Sequence, residues 1–120
     1  MTMQTMMPVV RKIRLTEIDA VRAVMAAANA EFEGRVPAGF FQSYLASQLD
    51  IEGRIAEGAS VLVAAADERI LGSITYYRDA NDEAMGPGFP AGTAGLRATG
   101  VHPDARGYGV GSALVSACIA

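Results

Sequence analysis

The sequence predicts a mixed α/β domain with the element order β-α-α-β-β-β-α. Three observations predict it. The hydrophobic period is near two at the start, shifts to a helical stripe, returns to strand-like runs and ends on a helical stripe. The helical segments are separated by strand runs, which favours an α/β or α+β mixed sheet over an all-β sandwich. The 120 residues, 51% hydrophobic and 19% charged, are enough for one domain with a modest core.

The first strand is VVRKIRL, Val9 to Leu15, which alternates apart from its doubled valine. Thr16 followed by Asp19 resembles a capping box and opens the first helix. There Ile18, Val21, Val24, Met25 and Ala28 share one stripe, and the helix is expected to end near Gly34. Pro37 opens a second helical region whose apolar face is Phe41, Leu45, Leu49 and Ile55. Gly39 and Gly53 weaken it, so two pieces are expected.

SVLVAAAD, Ser60 to Asp67, and ILGSITYY, Ile70 to Tyr77, are joined by a short polar turn and read as an antiparallel hairpin. Residues 78–94 form a long acidic, glycine- and proline-bearing loop, of a length usually functional or mobile. GLRATGV, Gly95 to Val101, is the fourth strand. From about Gly109 a last helix begins, with Val110, Leu114, Val115 and Cys118 on its apolar face.

Charge and composition exclude several functions. A net charge of −3 gives no basic field for nucleic acid or an anionic membrane. No apolar run reaches the roughly 18 residues of a membrane span. The methionine-rich start lacks the basic and apolar regions of a signal peptide. A lone cysteine, Cys118, allows no internal disulfide, and with the lone histidine, His102, it offers no metal site. A cytoplasmic protein is the default expectation. His102 at a strand corner reads as structural, and Cys118 on an apolar helix face reads as packing.

The informative stretch is GVHPDARGYGVGSALVSACIA, Gly100 to Ala120. It joins a strand to a helix, and a helix N-terminus offers unpaired N–H groups and partial positive charge to an anion. Gly107, Gly109 and Gly111 let the backbone approach closely, and Arg106 could neutralise a phosphate or hold the loop. A generic tight turn is the plain alternative. The strand before the loop and the apolar helix after it favour a pyrophosphate cradle.

A P-loop is excluded because the motif lysine is missing, and no lysine follows Lys12 anywhere in the chain. A dinucleotide fingerprint is excluded because its third glycine would fall on Ser112 or Leu114. The spacing that fits is R-x-x-G-x-G, at Arg106, Gly109 and Gly111. With Val101 and Pro103 before it, and Ala113 and Leu114 after it, this stretch resembles the GNAT superfamily of acyl-CoA-dependent N-acetyltransferases. The motif covers about 20 residues, and the element order extends the resemblance over essentially the whole chain.

The resemblance implies a fold, a co-substrate and a reaction. Backbone N–H groups of Arg106, Gly107, Tyr108, Gly109, Val110, Gly111 and Ser112 would hold the pyrophosphate of acetyl-CoA. The strand edge at Thr99, Gly100 and Val101 would align the pantetheine arm. An amine, on a small molecule or a protein, would attack the thioester directly, without an acyl-enzyme and without a metal. The family's general base commonly lies on or near the fourth strand, which here carries no Asp or Glu. Asp82 and Glu83 in the preceding loop are the nearest candidates in sequence, so the catalytic residues stay unassigned. The turn between the first two helices, with Glu31, Phe32, Glu33 and Phe40, is where the family often recognises its acceptor.

The family's domain continues past the motif helix with further strands and a helix. The expectation is therefore a single domain, residues 1–120, truncated after that helix, or completed by a partner chain. An exposed fourth-strand edge predicts a homodimer or aggregation. Two other functions stay open: a non-catalytic acyl-CoA-binding module or inactive fragment, and an unrelated interaction domain with a glycine-rich turn.

Overall fold

The computed structural model describes residues 8–79, 88, 90 and 93–119. A four-stranded sheet in the order β1-β2-β3-β4 is its centre: β1 Val9–Lys12, β2 Ser60–Ala66, β3 Arg69–Tyr77 and β4 Gly95–Val101. Every pair among these strands is antiparallel. Helices α1 (Ile18–Asn29), α2 (Ala38–Leu49) and α3 (Ile51–Ala56) lie between β1 and β2 in sequence, and α4 (Val110–Ile119) follows β4.

The stripe read from the sequence is the buried face of α1: Val21, Val24, Met25 and Ala28 are all buried. Val21 and Met25 join Ile51, Val61, Val63 and Ala98 in one core cluster, with Ile18 packed against it. A second cluster unites Ala64, Leu71 and Ile74 with Ala105, Val110 and Leu114, the last two from α4. Two glycines set the approach of these helices. A Cβ at Gly100 would stand 2.7 Å from the Met25 sulfur of α1. One at Gly72 would stand 2.8 Å from the Gly100 carbonyl oxygen, and 3.1 and 3.2 Å from Val110 and Leu114 of α4.

The start of α1 differs from the expected Thr16–Asp19 box. Residues Leu15–Glu17 form a 3-10 turn, and the Glu17 carboxylate accepts from the Arg14 N–H at 2.9 Å. The Arg11 fork donates to both Glu17 oxygens, at 2.8 and 2.7 Å, a charge-assisted pair that ties β1 to this turn. The second helical region is indeed two pieces, but the break falls at Asp50 and not at a glycine. The Asp50 side chain caps α3 by accepting from the Gly53 N–H at 3.0 Å. A Cβ at Gly53 would collide with that carboxylate, so the glycine serves the cap.

The buried Arg54 closes the end of α2, donating to the Ser47 and Gln48 carbonyls at 2.7 and 3.1 Å and to the Thr75 hydroxyl at 2.9 Å. The β2–β3 turn uses Asp67 and Glu68 at φ of 50° and 66°, the positive-φ pair that a tight hairpin requires.

Candidate functional site

The last strand and last helix are joined by a loop that is fixed from several sides. The His102 N–H donates to the Leu71 carbonyl at 2.7 Å, anchoring the loop to β3. The His102 ring nitrogen Nδ1 accepts from the Asp104 N–H at 3.1 Å, capping a 3-10 turn over Pro103–Ala105. That is the structural role expected of this histidine. Ala105 is buried beside Val110 and Leu114, so the turn and the first turn of α4 sit on the same core.

Gly107 and Gly109 then adopt φ of 85° and 80°, in the left-handed region that favours glycine. Around both, the space where a Cβ would sit is empty. Gly111 differs: it lies inside α4, its φ is ordinary, and a Cβ there would meet Val101 at a normal 3.7 Å. A cavity of about 260 Å³ opens here, lined by Val101, Ala105, Arg106, Gly107, Gly109, Val110, Gly111 and Ser112. The first turn of α4 borders it, and the N–H groups of such a turn have no intrahelical acceptor. Three glycines, free helical N–H groups and the helix dipole together form a surface suited to a dianionic phosphate group.

Seven of the ten residues expected to touch acetyl-CoA line this cavity. Thr99 is exposed on β4, and Tyr108 is exposed on the loop but outside the lining. Gly100 is buried under α1, where closeness to Met25 gives its missing side chain a packing reason. The Arg106 guanidinium holds the loop: it donates to the Ala28 carbonyl at 3.0 Å and pairs with Glu31 at 2.8 Å.

β4 also carries a bulge that its residues do not announce. Ser73 pairs with Gly100 and Thr75 with Arg97, so β4 carries one more residue than β3 across that interval. Ala98 takes φ of 54° there, a conformation that costs an L-residue about 1–2 kcal/mol. A bulge bends its strand and re-aims the neighbouring groups. An alanine at that position carries no sequence signal for it.

Among the described residues, two candidate proton-transfer groups lie away from the loop. Tyr77 is buried and donates to Glu57 at 3.0 Å. Burial and that bond push its phenol up to about 12. Burial likewise raises the Cys118 thiol, against a reactive thiolate. Thr75, on the same strand as Tyr77, is also within the packed interior. Asp82 and Glu83 lie outside the described residues. Among the described residues no cluster of three or more His, Cys, Asp or Glu could hold a metal, and no helix is long and apolar enough to cross a membrane.

A second cavity of about 180 Å³ lies along the start of α2, lined by Phe32, Val36, Phe40, Phe41 and Tyr44. The Phe40 and Tyr44 rings stack with centroids 6.4 Å apart and planes 8° apart. Phe32 and Phe40 were expected in this turn. Tyr44 was missed, although its spacing of four from Phe40 on a helix would have placed the two together. Glu31, also expected in this turn, pairs with Arg106.

The Acetyltransferase (GNAT) family model matches residues 21–120. Solved structures similar to this chain include a GNAT family acetyltransferase from Brucella melitensis in complex with acetyl-CoA. It is 22% identical with a TM-score of 0.67, over 94% of this chain and 66% of that one. The PaiA N-acetyltransferase from Thermoplasma acidophilum, in complex with coenzyme A, is 16% identical with a TM-score of 0.70, over 95% and 70%. A ribosomal-protein-alanine N-acetyltransferase from Brucella melitensis is 23% identical with a TM-score of 0.59, over 92% and 64%. The chain thus spans about two thirds of the length of these structures. A search of curated proteins finds no significant match.

Proposed function

The chain belongs to the acetyltransferase (GNAT) family, and on that premise we propose that it binds acetyl-CoA at the β4–α4 loop for transfer of the acetyl group to an amine. The observation that carries this reading is the 260 Å³ cavity at the open N-terminus of α4, with Gly107, Gly109 and Gly111 around it. The residues present fit the group: the lining offers backbone donors and no carboxylate. The Arg106 N–H is already bonded to the Pro103 carbonyl at 3.3 Å, so the N–H groups from Gly107 to Ser112 are the ones that hold the pyrophosphate, and the edge of β4 from Thr99 to Val101 aligns the pantetheine arm.

Acetyl-CoA supplies an activated thioester. A neutral amine would form the new C–N bond as the C–S bond breaks with its electron pair leaving on the CoA thiolate, and the amine proton would pass to solvent, to a basic group or to that thiolate. The bulge at Ala98 lies one residue before the Thr99–Val101 edge to which this reading assigns the arm. The aromatic cavity at Phe32, Phe40 and Tyr44 supports an acceptor with an apolar body, either a small amine or a protein amine. The reading includes no metal and a cytoplasmic setting. It also includes self-association through the edge of β4, where Leu96 is 45% exposed. Sedimentation showing a monomer at all concentrations would remove that last element.

A second reading, acyl-CoA binding without turnover, is favoured by one observation: Gly95–Val101 carries no acidic side chain. Equilibrium binding of acetyl-CoA combined with CoA release across an amine panel separates the two. Binding with release supports the transferase; binding without release for any amine supports the binding module; no binding removes both.

A further inference from the structure

Arg106 lines the loop cavity, yet its guanidinium is held from outside it. Its two partners are the Ala28 carbonyl, in the last turn of α1, and the Glu31 carboxylate, in the 3-10 turn Ala30–Phe32 that follows. α1 packs in the core cluster opposite the one that holds α4. The contact therefore ties the loop after β4 to the other helical layer. Its anchor is firm, because Val21 and Met25 of α1 are fully buried. Glu31 itself does not line the cavity.

We infer that Glu31 is a positioning residue for acyl-CoA. It holds Arg106, and through Arg106 it holds the 106–111 backbone in the shape that presents N–H groups to the pyrophosphate. This rests on the acetyl-CoA reading above. The same turn carries Phe32, so one ion pair joins the cofactor loop to the wall of the aromatic cavity.

The opposite arrangement has Glu31 competing with phosphate for the guanidinium. The two differ in sign. A carboxylate near an anion site repels the anion, so removing a mere neighbour or competitor tightens binding. Removing a strap weakens it.

The test is calorimetric titration of the full chain with acetyl-CoA, for the wild type, Glu31→Ala and Glu31→Gln. The pair is about 42–43% exposed on each side, so its effect is modest. Glu31→Ala is expected to weaken binding about two- to fivefold. The unliganded melting midpoint should stay within about 2 °C. Glu31→Gln, which keeps an acceptor for the guanidinium, should fall between the two, and the differences should shrink in high salt. Unchanged or tighter binding by Glu31→Ala overturns the inference while leaving the proposed function standing. Absence of binding by the wild type overturns the proposed function itself, and this inference with it.

Discussion

At Gly107 and Gly109 the backbone turns through φ of 85° and 80°, and any side chain there strains the loop whatever the ligand. Gly111 has an ordinary helical conformation and room for a Cβ. The two kinds of glycine can therefore be separated. Gly111→Leu is expected to leave the melting midpoint within a few degrees while lowering acetyl-CoA affinity about tenfold or more, because the side chain covers the N–H groups. Loss of stability without loss of affinity would assign Gly111 to the fold. A second residue-scale expectation concerns Glu17. Its hydrogen bonds from Arg11, and then from the Arg14 N–H, hold its carboxyl down to about 2, below the usual 4.5. A folded-state value below the unfolded one means stability present above about pH 4.5 and lost as pH falls toward 2. Denaturant midpoints measured across that window should show a Glu17→Gln variant losing less stability than the wild type. Parallel curves would place the effect elsewhere.

The elements meet the sheet at two distances of close approach, and these make unequal predictions. A Cβ at Gly72 would press on the Gly100 backbone carbonyl, which cannot move alone. One at Gly100 presses on the flexible end of Met25. Gly72→Ala should cost about 1–3 kcal/mol, and Gly100→Ala should cost less, as read by urea unfolding. The reverse order would mean that α1 sits more rigidly than α4. Asp50→Ala removes the cap of α3 and should cost about 1 kcal/mol. Much at this scale was legible in the sequence. The α1 stripe, the β2–β3 hairpin and the bounds of β4 follow from hydrophobic period, which burial against a sheet enforces. What was not legible depends on contacts between distant segments. The Glu17 turn before α1 is tied to Arg11, six residues back on β1, and the bulge at Ala98 arises from pairing with β3. The aim of Arg106 toward Ala28, 78 residues away, could not be read from its motif. The motif itself was readable because R-x-x-G-x-G encodes a local backbone shape.

At the scale of the molecule, the sheet carries α1 to α3 on one core cluster and α4 on the other, with the loop cavity where β4 gives way to α4. A ligand bound only by the folded chain must stabilise it, whichever layer it touches. At a concentration of 100 times its dissociation constant the gain is about 2.7 kcal/mol. For a chain of this size that raises the melting midpoint by on the order of 10 °C. The direct measurement is a thermal melt of the 120-residue chain with acetyl-CoA, and with NAD at the same concentration as the control. The cradle at Gly107, Gly109 and Gly111 predicts a rise of that order with acetyl-CoA and none with NAD. A cooperative melt that acetyl-CoA leaves unshifted would contradict it.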